Sequence, residues 1–535
     1  MDIALDALPS DPDALRAIIA AQAAELAARQ AQLETRDTLI AQLQAQLAVL
    51  RRARFGASSE KIDRTIDQLE LALEDIEAAS AEEPPDHPSR PDAPAKARTG
   101  RQKLPDHLPR EMHIHDAPTV CPDCGGTHFL KAGEDVTEVL DYVPASFRVI
   151  RHVRPRFVCK DCDAVVEADV PSLPIERGKP GPGLIAHVLT AKFCDHLPLY
   201  RQSEIYARES VALARSTLAD WVGRSAALMR PLIEALRAHV LAGDRLHGDD
   251  TPVPVLDPGS GKTRQGRLWA YVRDGRPYGD KAPPAVAYFY SPDRKGEHPQ
   301  SHLKDFEGVL HADGYAGFKG LYEATEPGEP PPIREAACWA HVRRKFFDLT
   351  SSPSLSGQRP SSPLVNVPAP MAEEALRRIG ELYDIEADIR GQAPDVRRTE
   401  RQRRTRPKVD ALKLWLERQL PQLPGKSPAA QAIRYALSRW PALCLFLDDG
   451  TVEIDNNAAE RAIRPVALGR KNWLFAGSDK GGERAAAILS LIETAKLNGL
   501  DPEVYLRDVL TRIAEHPVNQ IGELLPWNTA DRLAK

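Results

Sequence analysis

Two C-x-x-C pairs constrain the fold of this chain more than any other feature of its sequence. Cys121 and Cys124 form the first pair, Cys159 and Cys162 form the second, and strand-like sequence lies between them. Zn²⁺ takes four thiolates in a tetrahedron, and one tight C-x-x-C turn supplies two of them. The pattern therefore predicts a structural zinc ribbon over residues 111–175, with no coordination position left open for catalysis. A redox role for the cysteine pairs is the alternative.

Length and composition set the remaining bounds. A chain of 535 residues, of which 42% are hydrophobic and 27% charged, is typical of multidomain globular proteins. No apolar run is long enough to span a bilayer and the N-terminus does not resemble a signal peptide, so we expect no membrane role and a cytoplasmic, nucleoid-associated location. The net charge of −5 gives no global indication of nucleic-acid binding, which must come from local basic clusters. Cys194, Cys338 and Cys444 are expected to be buried as small hydrophobes.

Residues 1–77 carry an apolar heptad, and residues 78–110 form a linker. The heptad positions are Ile19, Leu26, Leu33, Ile40 and Leu47. This period is typical of a coiled coil, or leucine zipper, and predicts a homodimer or a higher oligomer. A single amphipathic helix packed on its own protein is the alternative. The linker is rich in proline and charge and has little apolar bulk, as expected of a flexible segment.

Residues 176–243 have helical periodicity with one interruption. Residues 200–208 and 216–224 read as two helices joined by a turn at 209–211, with Ser216 as the cap of the second helix. This pattern predicts a helix-turn-helix, a motif that binds DNA through its second helix. An ordinary helical hairpin gives the same pattern.

Residues 244–350 change to short β-rich runs. Strands are predicted at 244–249, 267–273, 285–290 and 308–313, with a helical connection at 299–306 before the last. The first strand ends at Asp249 and the fourth at Asp313. If these two strands lie side by side, the carboxylates meet at one edge of the sheet, which is the arrangement of a ribonuclease-H-like nuclease core.

A third carboxylate is expected from a helix at 455–464. Asp455 can cap its start and Pro465 can end it. Helical spacing puts Glu460 on one face with Asn456, Asn457 and Arg464. Phosphodiester cleavage needs an activated nucleophile and a stabilised leaving oxygen, which two Mg²⁺ or Mn²⁺ ions held by a few carboxylates supply. An isolated surface helix is the alternative for this segment.

The gap between Asp313 and Glu460 is longer than a nuclease core needs. It predicts a helical insertion at 351–440, with a Ser/Pro-rich loop at 351–370 and helices at 371–390 and 409–420. The core then resumes at 441–490, and a helical tail follows at 491–535. The chain is thus predicted to be a multidomain α+β protein in which a coiled coil, a zinc ribbon and a helix-turn-helix precede a ribonuclease-H-like α/β catalytic core with a helical insertion.

Several motifs together closely resemble the insertion-sequence-66 family of transposases over nearly the whole chain. They are His247-Gly-Asp-Asp-Thr-Pro-Val-Pro254, Ala312-Asp-Gly-Tyr-Ala-Gly-Phe318, Ala337-Cys-Trp-Ala-His-Val-Arg-Arg-Lys-Phe-Phe347, Asp455-Asn-Asn-Ala-Ala-Glu-Arg461 and Gly469-Arg-Lys-Asn-Trp-Leu-Phe-Ala-Gly-Ser478. The resemblance implies a DDE transposase whose triad falls on Asp249, Asp313 and Glu460, with Asp250 as a rival for the first position. It also implies that the chain binds terminal inverted repeats and target DNA, that an insertion covers the active site, and that helper proteins of the same element are further partners.

Basic clusters around the proposed site are expected to bind DNA phosphates without reading sequence. They comprise Arg343, Arg344, Lys345, Arg461, Arg464, Arg470 and Lys471, together with a run at 397–408 in the insertion. His247, which shares a strand face with Asp249, and His341 are candidates for supporting roles beside the metal. A catalytically inactive DNA-binding protein and a nuclease or resolvase that cuts without joining are the two alternatives to a transposase.

Overall fold

The computed structural model describes residues 38–47, 69, 73–79, 104–115, 119–121, 123–143, 146–169, 172–175, 178–257, 262–324, 329–350, 369–473 and 476–533. Most of the predicted coiled coil and linker, and residues 351–368 of the insertion, lie outside this set. Among the described residues, no helix combines the length and the apolar character that crossing a bilayer would require.

The strands in the described part of the chain belong to two sheets. In chain order they are Arg110–Ile114 (β1), Phe129–Val143 (β2), Ser146–Cys159 (β3), Val165–Glu167 (β4), Arg245–Asp257 (β5), Lys262–Arg273 (β6), Ala285–Ser291 (β7), Gly308–Ala312 (β8) and Ile333–Ala337 (β9).

Helices surround both sheets. In chain order, those described are 38–47 (α1), 73–79 (α2), Pro182–Phe193 (α3), Leu199–Arg208 (α4), Arg215–Leu228 (α5), Arg230–Leu241 (α6), Glu297–His302 (α7), Trp339–Thr350 (α8), Ala369–Ile389 (α9), Pro394–Glu400 (α10), Arg406–Gln419 (α11), Pro428–Ser438 (α12), Trp440–Asp448 (α13), Asn457–Trp473 (α14), Asp479–Leu497 (α15), Pro502–Arg512 (α16) and Pro526–Leu533 (α17).

The two N-terminal helical segments pack against each other through apolar side chains. Leu43 and Leu47 of α1 are buried together with Leu73 and Ile76 of α2. The apolar side of α1 therefore packs against α2 of the same chain. This agrees, for residues 38–47, with the alternative in which the N-terminal helix packs on its own protein. The rest of the heptad lies outside the described residues, and the dimer stays a prediction.

The zinc region is a β-sheet built on one long hairpin. β2 and β3 pair antiparallel along nearly their whole length, β1 pairs in parallel with β3, and β4 pairs with the end of β3. The strand-like runs 147–150 and 156–158 both fall within β3. Phe147 of β3 packs edge-on against Tyr206 of α4, with 5.3 Å between the ring centroids. The sheet therefore shares a hydrophobic core with the helices that follow it.

The two helices predicted for the helix-turn-helix are present as α4 and α5. Ser210, in the turn between them, adopts a left-handed backbone with φ of 60°. The predicted cap at Ser216 is wrong, because α5 begins one residue earlier, at Arg215. Ala214 occupies the N-cap position with extended backbone and no side-chain cap.

The second sheet has the strand order β7-β6-β5-β8-β9. β7, β6 and β5 are antiparallel neighbours, whereas β8 and β9 run parallel to β5. The predicted order of strand, strand, strand, helix and strand is confirmed by β5, β6, β7, α7 and β8; β9 was not predicted. Two boundaries are clearly wrong: β5 does not end at Asp249 and β6 does not begin at Arg267. The two strands form a longer hairpin, in which β5 continues to Asp257 and β6 begins at Lys262.

The insertion and α8 build a second hydrophobic core beside this sheet. It contains Phe346 of α8, Ile379 of α9, Leu412 of α11, Ile433 of α12 and Phe446 of α13. The predicted helices at 371–390 and 409–420 correspond to α9 and α11. Burial of these apolar side chains therefore holds the insertion against α8 and the sheet.

The basic run of the insertion is largely neutralised within the protein. Arg401 is fully buried and donates to both carboxylate oxygens of Glu386, at 2.7 and 2.6 Å. Arg397, also buried, donates to Glu453 at 2.5 Å. The predicted DNA contact is therefore wrong for Arg397 and Arg401, because neither guanidinium group reaches the surface.

Two predicted boundaries in the C-terminal part of the chain, one at Pro465 and one at residue 490, differ from the structure. Pro465 does not end its helix, since α14 continues through it to Trp473. Ile463 and Val466 are buried on either side of the proline, and this packing offsets the backbone hydrogen bond that proline cannot make. The expected division between core and tail at residue 490 falls inside α15, where the Ser490 hydroxyl accepts a hydrogen bond from the backbone of Tyr288 in β7.

Candidate active site and zinc centre

The pairing of β5 with β8 brings two acidic residues into one row. His247 lies opposite His311 in a parallel register. Carrying this register two residues further places Asp249 opposite Asp313, the residue that directly follows β8. Since side chains two residues apart on a strand share a face, Asp249 lies on the same face as His247.

Asp250 has a different environment from its neighbour. Its carboxylate is 1% exposed, accepts hydrogen bonds from Arg267 at 2.9 Å and from Arg294 at 2.8 Å, and points to the opposite face of β5. A carboxylate that two guanidinium groups already neutralise is a poor metal ligand. This geometry favours Asp249 over Asp250 as the first acid of the proposed triad.

The start of α14 is fixed onto β5 by Asn456. This side chain is fully buried, donates to the carbonyl oxygen of Gly248 at 2.8 Å, and accepts from Nδ1 of His247 at 3.1 Å. Asn456 therefore directly precedes the helix, and its carbonyl oxygen accepts a hydrogen bond from the backbone amide of Glu460 at 3.2 Å. His247 supports the site through this hydrogen bond, and Glu460 follows one turn later in α14.

Asp455 and Asn457 form the helix cap. Asp455 accepts from the backbone amide of Asn457 at 3.1 Å, as predicted, and from its side chain at 2.7 Å. The Asn457 amide is thus engaged with the cap. Burial also raises the pKa of Asp455.

The charges of the other two acids act on the pKa of Asp249. Burial raises the pKa of Asp249 to about 7, and the charges of Asp313, Asp250 and Glu460 add to the rise, while a hydrogen bond from the backbone of Asp250 opposes it. Crowded carboxylates repel one another when ionised, and a bound dication relieves this repulsion. The donor set is made of carboxylate oxygens, which Mg²⁺ prefers.

The insertion holds the loop that carries Asp313. Tyr435 of α12 donates its hydroxyl to the carbonyl oxygen of Asp313 at 2.9 Å, and Arg439 donates to that of Gly314 at 2.6 Å. Gly314 has φ of +81°, and a Cβ at this position would lie 2.4 Å from the Arg439 guanidinium. No local sequence pattern identifies Tyr435 or Arg439, because both act on a loop more than a hundred residues earlier in the chain.

Basic side chains surround these acids. Arg343, Arg344 and Lys345 are exposed on α8, and Arg461 and Arg464 are exposed on α14. Arg470 is only half-buried and donates to the carbonyl oxygen of Pro252 in β5 at 2.9 Å. The side chain of Lys471 lies outside the described residues. His341 of α8 lies 3.6 Å from Glu460, so the exposed faces of α8 and α14 meet beside the acids.

The four cysteines of the zinc region form one cluster. Sγ of Cys121 lies 3.5 Å from that of Cys162, and Sγ of Cys124 lies 3.7 Å from that of Cys159. Zinc–sulfur bonds of about 2.3 Å place tetrahedral sulfurs roughly 3.7 Å apart. The cluster therefore fits one Zn²⁺ ion.

The two cysteine turns share one backbone pattern. The amides of Gly125 and Asp163 donate to the carbonyl oxygens of Cys121 and Cys159, each four residues earlier. Both donors have a left-handed backbone, with φ of 74° and 58°. Backbone amides of Cys124 and Asp123 lower the pKa of Cys121 to about 7, which favours the thiolate that zinc requires.

The other three cysteines are not equivalent. Cys338 is buried, as predicted, whereas Cys194 and Cys444 are only half-buried.

Comparison with known proteins agrees with this architecture. Family models match the chain as "Transposase IS66 family" over residues 177–484, "IS66 C-terminal element" over 490–527, "Transposase C of IS166 homeodomain" over 42–112 and "zinc-finger binding domain of transposase IS66" over 118–163. These matches define the class as a transposase with a zinc-finger segment and DNA-binding regions.

Relatives from Sinorhizobium fredii (strain NBRC 101917 / NGR234) match almost the full length. Uncharacterized protein y4hP is 43% identical over 91% of this chain and 88% of its own length. Uncharacterized protein y4qI is 39% identical over 97% of both chains. The chain belongs to the IS66 family of transposases.

Proposed function

We propose that this transposase cuts the ends of an insertion sequence and joins them to target DNA by a DDE mechanism, with Asp249, Asp313 and Glu460 as the metal-binding acids. The observation that carries the proposal is the parallel pairing of β5 with β8 up to His247 and His311, a register that aligns Asp249 with Asp313 when it is carried two residues further. The five-stranded sheet, with three antiparallel strands followed by two parallel ones, supports a ribonuclease-H-like core.

The three acids of the site would bind the metal ions that phosphodiester cleavage requires. Asp249, Asp313 and Glu460 would hold Mg²⁺ or Mn²⁺. When bound, these ions make the attacking water or 3′-hydroxyl more acidic and stabilise the leaving oxygen. Asp249 must lose its proton before it can act as a ligand, so metal binding would release a proton where Asp249 is protonated.

The surrounding basic residues would hold the DNA backbone. Arg343 and Arg344 are exposed on α8, and Arg461 and Arg464 are exposed on α14, the helix that carries Glu460. Phosphate contacts at these side chains would position the DNA without reading its sequence. The α4–α5 pair and the zinc region are the elements that we assign to binding of the terminal inverted repeats.

The test is Mg²⁺-dependent cleavage of DNA that carries the element's own ends. Asp249→Asn, Asp313→Asn and Glu460→Gln should each lower the cleavage rate by about 100-fold or more, because each removes a charge on which metal binding depends. Binding to the same DNA, measured by gel shift, should persist in all three.

Asp305→Asn is the matched control, since this acid is 83% exposed and lies away from the site. It should cleave at the wild-type rate. Full cleavage by any one of the three triad variants would remove that residue from the proposed mechanism.

A further inference from the structure

Cys338, His341 and Glu460 converge where β9 leads into α8 and α14 passes beside it. One possible ligand atom from each side chain lies within 4.8 Å of the other two. Cys338 directly precedes α8, and His341 lies in the first turn of that helix. We propose that these three side chains form a second zinc site, separate from the four-cysteine centre.

The spacing of His341 and Glu460 suits zinc. Nδ1 of His341 lies 3.6 Å from a carboxylate oxygen of Glu460. Tetrahedral zinc, with bonds of about 2.0 to 2.3 Å, places its ligand atoms roughly 3.3 to 3.8 Å apart. Nδ1 of His341 is buried and has no hydrogen-bond partner among the described residues. A buried ring nitrogen without a partner is costly, and a metal ion would satisfy it.

The surroundings of Cys338 also suit a metal-bound sulfur. The backbone amide of Asn456 donates to its Sγ at 3.2 Å. The sulfur also lies at the N-terminus of α8, where the helix dipole stabilises negative charge. Burial raises the pKa of the Cys338 thiol, so the thiol keeps its proton without a metal, and zinc binding would displace that proton to solvent.

The donor set determines which metal is selected. A thiolate and an imidazole favour zinc-class ions, whereas the carboxylates of Asp249, Asp313 and Glu460 favour Mg²⁺. Because Glu460 belongs to both sets, zinc at Cys338 and His341 would withhold Glu460 from the proposed reaction. The zinc site rests on the proposed function only in that Glu460 is also a proposed Mg²⁺ ligand.

Zinc content per chain is therefore the primary measurement. The full-length protein, dialysed against low micromolar Zn²⁺ and assayed by mass spectrometry of the metal, should retain two zinc ions per chain. Cys338→Ser and His341→Gln should each retain one. Cys444→Ser, which removes a half-buried thiol outside the cluster, should retain two.

The outcomes separate this site from its alternatives. Equal zinc content in wild type, Cys338→Ser and His341→Gln would overturn the inference. Retention of one ion in the variants shows that the four-cysteine centre is still folded, so misfolding would not imitate the expected loss. The count does not depend on DNA cleavage, and failure of the DDE mechanism would leave it unchanged.

Inhibition gives a second readout. Added Zn²⁺ should suppress Mg²⁺-dependent cleavage by the wild type, and Cys338→Ser should resist that suppression. Equal inhibition of both proteins would contradict the link between the zinc site and Glu460.

Discussion

Asp249 and Asp250 are adjacent in sequence, yet they face opposite sides of β5. Asp250 is neutralised by two arginines, whereas Asp249 is half-buried, and desolvation together with the charges of other acids raises its pKa to about 7. In the metal-free protein, Asp249 therefore binds a proton in the folded state over a pH range in which the unfolded chain has lost it. Stability must fall as pH rises from about 4 to about 7.

Asp249→Asn should remove the loss of stability that comes from ionising Asp249 in the folded protein. At pH 8 the metal-free variant should be more stable than the wild type by about 2 to 4 kcal/mol, and at pH 4 the two should be alike. Chemical denaturation at both pH values measures the difference. Added Mg²⁺ should raise the stability of the wild type and leave that of the variant unchanged. If the variant is less stable than the wild type at pH 8, ionised Asp249 is not destabilised by burial and by its neighbours.

Asp250→Asn should have the opposite effect on stability. It leaves the guanidinium groups of Arg267 and Arg294 without their shared carboxylate, so the free energy of unfolding should fall by about 1 to 3 kcal/mol. Mn²⁺ binding, measured by calorimetry, should remain because Asp250 is not proposed as a ligand. Loss of Mn²⁺ binding in this variant with native stability would reverse the assignment of the two aspartates.

The sequence suggested the three proposed acids, but it did not indicate the side chains that hold the segments carrying them. Asp249, Asp313 and Glu460 each stand in a recognisable motif. Asn456 and Tyr435 reach backbone carbonyl groups that are distant in sequence, and nothing in their local pattern indicates those contacts. Whether Asp249 or Asp250 faced the site also depended on the strand pairing, since a shift of one residue exchanges the two faces.

At the scale of elements, the insertion depends on one buried ion cluster. Arg401 lies in a π-helical turn between α10 and α11 and is bound to Glu386 and to backbone carbonyl oxygens that include that of Phe446. Its basic sequence context predicted a surface role. The prediction failed because a charge run does not show which of its members meet buried acids.

Arg401→Ala should destabilise the insertion by about 3 to 5 kcal/mol, because it leaves Glu386 buried without its partner. Thermal unfolding should reveal the loss. Arg403→Ala is the matched control in the same turn; its side chain is 67% exposed, so the melting temperature should hardly change. Equal effects of the two substitutions would contradict the structural role of Arg401.

Element boundaries were harder to predict than the elements themselves. The strand that carries Asp249 and the strand that Asp313 follows were both predicted, but β5 extends well past Asp249 because β6 pairs with it to Asp257. α14 likewise passes through Pro465 because tertiary packing outweighs a local break. The first error arises because the hairpin pairing continues past the end of the apolar pattern, and the second because the strands that α14 packs against are distant in sequence.

At the scale of the whole molecule, a net charge of −5 conceals a local basic surface. Arg343 and Arg344 are exposed beside the proposed active site. Replacing both with alanine should weaken binding to DNA of any sequence and reduce the slope of log affinity against log salt by about 0.9 for each lost phosphate contact. Fluorescence anisotropy at several salt concentrations measures this slope, and an unchanged slope would show that DNA does not pass over α8.

The central claim is that one carboxylate site both cuts and joins DNA, which separates a transposase from a simple nuclease. The most direct test supplies a pre-cut donor end with a free 3′-hydroxyl, target DNA and Mg²⁺, and measures covalent donor–target product. The wild type should form this product, and Glu460→Gln should bind the donor end without forming it. Product formation by Glu460→Gln, or cleavage by the wild type with no joined product under any divalent metal, would contradict the account.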